Sequence, residues 1–328
     1  MLLYSAPLQG ITTWVYRTVH SRLFGGADRY FTPFFSPTKE HLFTPRELRE
    51  LQPEHNAGLP VVPQIMARNP ADFLWAAEAL AAMGYEEVNL NLGCPSGTVS
   101  AKGKGAGFLA RPEELERFFE TVFSAAPPVR ISVKTRLGIR DPEEFPRLLE
   151  LYESYDVSEL IIHPRLQRDG YGDPVRPEAF AAAYRCCRLP LCYNGDLARP
   201  EDFTALEARF PTLPAAMAGR GLAADPALFR KLRGGGAAGR RELQTYTQTL
   251  YRAYCESYGS AGPAAQRMKE QWAYLIRRFA GGERYAGKMR RIDRPGDYET
   301  LEARIFGELP LAEEAGAPEN RTGAGTQG

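Results

Sequence analysis

The chain has 328 residues, 44% of them apolar and 25% charged, with a formal net charge of +1. That balance is ordinary for a globular protein and excludes a disordered chain. No apolar stretch reaches the ~18–20 residues of a membrane span, and no basic segment leads into an apolar run at the N-terminus, so a cytosolic protein with no membrane partner is expected. Five cysteines, two of them adjacent (Cys186 and Cys187), fit neither a disulfide framework nor a spaced zinc site, and no metal is expected.

From the N-terminus, short β-rich runs alternate with helical stretches. Strands are expected at 2–8, 30–35, 60–65, 88–93, 129–135, 159–164, 189–195 and 215–219. Helices are expected between them, for example at 70–83, 112–124, 142–155 and 200–209. Several open on proline, whose missing N–H costs nothing in the first turn, and acidic residues follow at the positive end of the helix dipole. Strict alternation implies a parallel sheet, and eight repeats favour closure into a TIM (β/α)8 barrel, which needs about 250 residues. An open dinucleotide-binding sheet is disfavoured because no G-x-G-x-x-G follows the first strand.

Residues 233–239 (Arg-Gly-Gly-Gly-Ala-Ala-Gly) read as a flexible break, and beyond it the pattern is wholly helical. Met268, Trp272, Leu275, Ile276 and Phe279 recur as one apolar stripe, with Arg267, Gln271, Tyr274 and Arg278 on the opposite face. The expected domains are therefore 1–235, a TIM barrel; 236–311, a small helical domain; and 312–328, a disordered tail. Charge divides along the same line, with −4 over residues 1–229 and +7 over residues 230–311. Such asymmetry suits either a polyanionic partner or a merely solvated basic face.

In parallel barrels the working side chains sit at the C-terminal ends of strands. Here those ends carry Gln64, Asn89, Asn91, Cys94, Lys134, Arg136, His163, Arg165, Asn194, Asp196 and Arg220. Their convergence predicts a ligand site at one mouth. Asn194-Gly-Asp196 and Gly219-Arg220 end the seventh and eighth strands, where barrels commonly hold a phosphate. A helix starting near residues 224–226 would add its N-terminus, and Arg220 would clamp the anion. Lys134 ends a buried strand, so its ammonium needs either a carboxylate or an electron-rich ring such as a flavin. His163 could bond the same ligand. Cys94, just past a strand end between Gly and Pro, is expected on an exposed loop as a proton donor. Cys186, Cys187, Cys192 and Cys255 read as packing residues.

Together these motifs resemble the tRNA-dihydrouridine synthases. Ala6-Pro-Leu-Gln-Gly-Ile-Thr12 with Arg17, Gln64, Asn89-Leu-Asn-Leu-Gly-Cys-Pro95, Gly105-Ala106, Val133-Lys-Thr-Arg136, His163-Pro-Arg165, Asn194-Gly-Asp196 and Gly219-Arg220 stand in that family's order. Gln266-Arg-Met-Lys-Glu-Gln-Trp-Ala-Tyr274 is similar to its helical-domain signature, so the resemblance spans about residues 3–308. It implies an FMN-dependent reductase, reduced by NADPH, that takes a flipped-out uridine of tRNA, delivers hydride to C6 and protonates C5 from a loop cysteine.

Carried over residue by residue, the resemblance makes Cys94 the general acid. Pro7 and Leu8 back the flavin. Gln64, Lys134 and His163 bind its ring and ribityl chain, and Asn194, Gly195, Asp196, Gly219 and Arg220 bind its chain and phosphate. Asn91, Arg136, Arg165, Arg267, Lys269 and Arg278 face the RNA. A monomer is expected. Four positions depart from the family's usual pattern: Leu8 and Thr13 stand for Met and Asp, Pro164 for Gly, and Gln271 for His. Two rival readings are a flavin barrel acting on a small molecule, resembling dihydroorotate dehydrogenases, and an RNA-binding homologue without catalysis. The basic helical domain argues against the first, and the intact Cys94 and Lys134 against the second.

Overall fold

A computed structural model describes residues 1–312, and the expected tail, save for Ala312, lies outside the described residues. The chain divides into two compact units, 1–237 and 238–328. In the first, nine parallel strands form a nearly closed barrel: β1 (Leu2–Ser5), β2 (Arg29–Phe31), β3 (Val61–Val62), β4 (Gln64–Ile65), β5 (Glu87–Leu92), β6 (Arg130–Arg136), β7 (Val157–His163), β8 (Leu191–Tyr193) and β9 (Ala215–Ala218).

Their order is β3-β2-β1-β9-β8-β7-β6-β5-β4. The two ends of this ladder, β3 and β4, are halves of the single third strand expected from the sequence, so the ladder returns to its starting point. Pro63 splits them because it has no N–H to donate. Its carbonyl still accepts from the Asn89 amide at 2.8 Å, and a Phe35–Ile65 bridge carries the second strand past the break.

Helices follow the strands, and Pro70–Ala82, Pro112–Ser124, Pro177–Cys186 and Pro200–Arg209 each open on proline as expected. Residues 142–153 form a short 3-10 turn, capped by Asp141, that continues into the helix Phe145–Glu153. Thr13, the departure from Asp in the opening motif, caps Trp14–Leu23 through its hydroxyl, a task both residue types perform.

Alternation along each strand sorts its side chains. Val88, Leu90 and Leu92 of β5 join the large core shared with the helices, together with Phe73, Leu80, Leu115 and Phe119. The intervening Glu87, Asn89 and Asn91 face the barrel interior. Burying each of these large apolar side chains contributes roughly 1.5–3 kcal/mol, which holds the register against a one-residue slip. A smaller apolar plug inside the barrel consists of Tyr4, Ala6, Phe31, Val62, Ile161, Cys192, Ala215 and Met217.

At the N-terminal end of the strands, Arg29 pairs with Glu87 at 3.2 Å and Glu159 at 3.5 Å, and Tyr4 donates to Glu159 at 2.9 Å. Burial pushes the Glu159 carboxyl up to about 7, against the opposing pull of Arg29.

The second unit packs the helix Ala261–Leu275 against Arg240–Tyr258, Glu283–Arg290 and Pro295–Glu308. Trp272 sits fully buried, its ring 5.8 Å from those of Phe279 and Phe306. Because three helices surround it, the central helix buries more than one stripe: Gln271 joins the core. The helix also tightens to a 3-10 turn at Ile276–Arg278, which rotates Arg278 inward. The expected opposite face is corrected accordingly, and the exposed cation there is Arg277. Of the four cysteines read as packing residues, Cys192 is buried and Cys187 and Cys255 are partly so, but Cys186 is exposed at a helix end.

A carboxyl whose pKa is raised by folding favours the folded state only while protonated, so its contribution is lost as pH rises from about 4.5 to about 7. Glu159→Gln keeps an acceptor for Tyr4 and removes that loss. The difference in thermal midpoint, mutant minus wild type, should grow across this pH range, corresponding to at most roughly 3 kcal/mol. A difference independent of pH would contradict the assignment.

Candidate active site

The inward positions at the C-terminal ends of the strands converge through the register of the ladder. Gln64 lies opposite Asn89, Asn91 opposite Lys134, and Arg136 opposite His163. The amides satisfy one another. Gln64, fully buried, donates to Asn89 Oδ1 at 2.8 Å and accepts from Asn91 Nδ2 at 2.7 Å, while Asn89 donates to Ser132 Oγ at 3.0 Å. Buried polar groups are tolerated on this condition.

Asn91 Oδ1 accepts the backbone amides of Gly93 and Cys94, each at 3.0 Å, which shapes the turn carrying Cys94. The Cys94 carbonyl then accepts from the Ala106 amide at 3.0 Å. Gly105, at φ +56°, permits this approach, since a Cβ there would lie 2.9 Å from that carbonyl oxygen. The segment is tethered further by Lys104 donating to Ser36 Oγ at 2.7 Å and Gln167 donating to Ser100 Oγ at 3.2 Å. The Cys94 thiol is partly exposed. Neither Lys104 nor Gln167 was expected at the site, because their partners are 68 and 67 residues away and no local pattern marks them.

Lys134 makes no salt bridge to any carboxylate among the described residues, so the expected ion-pair alternative does not hold. Burial, aided by the charge of Arg136, pushes its ammonium down to about 8. His163, also buried, is held well below the ordinary histidine value by burial and by the cations Lys134, Arg136, Arg165 and Arg220.

Arg136 and Arg165 are both 1% exposed. Arg136 donates to the carbonyls of Gly93 at 3.0 Å, Leu166 at 2.6 Å and Asp169 at 3.1 Å. Arg165 donates to Asp196 Oδ1 at 2.9 Å, Asp196 Oδ2 at 2.5 Å and the Asp173 carbonyl at 2.8 Å. These guanidiniums clamp the loops of the mouth. Among the bundle residues, Arg267 pairs with Glu270, and Lys269 donates to Gln266 Oε1 at 2.9 Å and the Ile292 carbonyl at 2.6 Å.

Asp196 takes a left-handed backbone, φ +45°, and binds Arg220 at 2.5 Å as well as Arg165. Arg220 also lies 4.5 Å from the centre of the Tyr171 ring. Asn194 donates to the Met217 carbonyl at 2.8 Å, tying β8 to β9. A Cβ on Gly219 would sit 3.2 Å from Ala6 and Leu8, so this glycine keeps the end of β9 close to the opening loop. Two short helices follow in this region, Arg220–Ala224 directly after Gly219, which was not expected, and Leu228–Leu232, close to the start expected near residues 224–226. Arg17, fully buried, donates to the Thr12 carbonyl at 2.8 Å and Asn56 Oδ1 at 2.8 Å, bracing the loop that carries Pro7 and Leu8.

A family model described as "Dihydrouridine synthase (Dus)" matches residues 4–281. The chain is 27% identical to a protein named "tRNA-dihydrouridine(16) synthase" from Cupriavidus necator, over 97% of this chain and 99% of that one. A protein of the same name from Ralstonia nicotianae is 29% identical, over 70% of this chain and 72% of its own length. A "Probable tRNA-dihydrouridine synthase" from Staphylococcus aureus is 31% identical, over 69% and 70%. Among solved structures, an old yellow enzyme homologue from Zymomonas mobilis superposes with a TM-score of 0.52 at 13% identity, over 73% of this chain and 90% of that one. Morphinone reductase does so at 0.51 and 13%, over 73% and 87%. These likenesses concern the fold.

A lysine whose pKa is depressed destabilises the folded protein while charged, and stability recovers as pH rises from about 8 towards 10.5. Lys134→Met should therefore raise the thermal midpoint of the ligand-free protein at pH 7, with the gain shrinking above about pH 8. A lower midpoint at pH 7 would mean that Lys134 serves the fold.

Proposed function

Because the chain belongs to the dihydrouridine synthase family, we propose that it reduces a uridine of tRNA to 5,6-dihydrouridine with bound FMN and NADPH. The observation that carries this reading is Lys134, an inward-facing cation without a carboxylate partner among the described residues, on the strand that pairs with the one leading into the turn of Cys94. The names of the relatives from Cupriavidus and Ralstonia, the first matched over nearly its full length, support position 16 of the tRNA as the target.

The residues present fit FMN. Lys134 and His163 offer positive charge and a hydrogen-bond donor to a ring that gains negative charge, and Gln64 is bonded to Asn91, the register partner of Lys134. Gly195 and Gly219 let the protein close in, since a Cβ there would meet Tyr193 Oη at 2.8 Å and Ala6 and Leu8 at 3.2 Å, and Arg220, Asn194 and Asp196 stand at the same strand ends for the ribityl chain and phosphate. Pro7 and Leu8 would back the ring. Bound FMN, reduced by NADPH, supplies a hydride donor for C6 of the uracil.

Cys94 completes the reaction by giving the proton of its Sγ to C5. Asn91 sets its backbone, and the contact with Ala106 keeps the turn from swinging away. Positioned acids of this kind contribute about 10²–10⁴ in rate. The second unit brings the RNA-binding surface, where Arg277, Arg284, Lys288, Arg290, Arg291 and Arg294 are all exposed or nearly so. Contacts from such residues to phosphates release counterions.

The purified protein should be yellow, with one FMN per chain. Cys94→Ala should retain FMN and be reduced by NADPH, yet lose about 10²–10⁴ in dihydrouridine formation, read by mass spectrometry of tRNA digests. Near-normal product from this mutant would remove the cysteine from the mechanism. Sequencing tRNA from a deletion strain should show dihydrouridine missing at position 16, and loss at another position would reassign the target.

Charge reversal at Arg290 and Arg291 should weaken tRNA binding and flatten its salt dependence by roughly 0.7–0.9 per lost contact on a log–log plot. FMN content should not change. Unaltered affinity at every salt concentration would make this a solvated basic face.

A further inference from the structure

His163 and Arg165 form a pair with a chemical consequence. Arg165 Nη1 lies 3.0 Å from His163 Nε2 and 2.9 Å from Asp196 Oδ1, while Nη2 lies 2.5 Å from Asp196 Oδ2. The Asp173 carbonyl takes Nε at 2.8 Å, so both the carboxylate and the loop hold the guanidinium plane in place. A guanidinium has only donors to offer. Nε2 must therefore be the acceptor of this bond, and the imidazole proton is left on Nδ1.

We propose that Arg165 is a positioning residue that fixes His163 as the neutral Nδ1–H tautomer, so that the imidazole presents one donor and no free acceptor to the ligand in the barrel mouth. The ligand edge selected is a carbonyl oxygen or an anionic ring nitrogen, and an edge made of N–H groups is refused. The identity of that ligand rests on the FMN reading, but the tautomer does not. The charges that act most on the ring are the cations Lys134, Arg136, Arg165 and Arg220, the Asp196 carboxylate stands behind Arg165, and the ring of Tyr171 lies 6.4 Å away. These cations also disfavour an imidazolium, so the neutral form persists into mild acid.

The histidines number four, which makes the question accessible to long-range ¹H–¹⁵N correlation on histidine-labelled, flavin-free full-length protein at pH 7. His20 provides an internal contrast, because its Nε2 lies 2.9 Å from the Pro226 carbonyl and must carry the proton. His163→Gln assigns the signal. The expected result is a neutral His163 with protonated Nδ1 that titrates well below the ordinary histidine value. Arg165→Met should shift it towards Nε2–H and bring its titration closer to the ordinary value, and Arg165→Lys, which restores a donor, should recover the Nδ1–H pattern.

An Nε2–H or imidazolium signal in the wild-type protein at pH 7 overturns the proposal, and so does an unchanged spectrum in a folded Arg165→Met variant. Should that variant not fold, the wild-type spectrum alone decides. FMN titration of the same sample is a separate test: a protein with the Nδ1–H pattern that binds no FMN would refute the proposed function and leave this inference standing.

Discussion

The barrel depends on the rule that a polar side chain may face its interior only if a neighbouring strand satisfies it. Asn89, Gln64, Asn91 and Ser132 obey this rule across three adjacent positions of the ladder, each bond 2.7–3.0 Å long. An unsatisfied amide in such a place costs about 1–3 kcal/mol, so losing any one member strands the next. The chain of amides ends on the backbone of Cys94. The packing requirement of the interior and the positioning of the Cys94 turn are thus the same set of hydrogen bonds.

Charge at the mouth is governed by a shortage of acids. Lys134, Arg136, Arg165 and Arg220 gather around His163. Asp196 serves two of these cations and Asp169 serves Arg176. The guanidiniums that find partners become braces for loops, as Arg136 and Arg165 do. Lys134 has no such partner among the described residues, and its charge is left uncompensated. A site built this way sacrifices stability in its empty state, a common feature of ligand sites. The opposite end of the barrel shows the contrary arrangement, with Glu87 and Glu159 around Arg29 and one carboxyl pushed up towards neutrality.

In the second unit the same accounting decides which cations are available. Position on a helical wheel marks Arg267, Gln271 and Arg278 as one face, but three packed helices cover more of the central helix than a single stripe. Gln271 and Arg278 are consequently buried, and Arg267 and Lys269 bond within the bundle. The exposed positive charge lies instead at Arg277 and along 284–294.

Strand–helix alternation, the leading prolines and the glycine-rich break at 233–239 were legible in the sequence, since each is a local property of backbone or period. So were the strand-end residues, because period-two alternation with Asn, Lys and His at inward positions is written in the order of residues. The split of the third strand at Pro63 has an equally local cause, but its effect on the ladder depends on which strands pair with each half. Which strand-end residue touches which was decided only by tertiary structure. Arg136 and Arg165 look like Arg220 in sequence, yet carbonyls from loops around residues 166–173 capture them, while Arg220 keeps partial exposure. Lys104 and Gln167 join the site through partners nearly seventy residues distant. Sequence patterns report periodicity and propensity within a window, whereas the fate of a charged side chain depends on which acceptors folding brings within 3 Å of it.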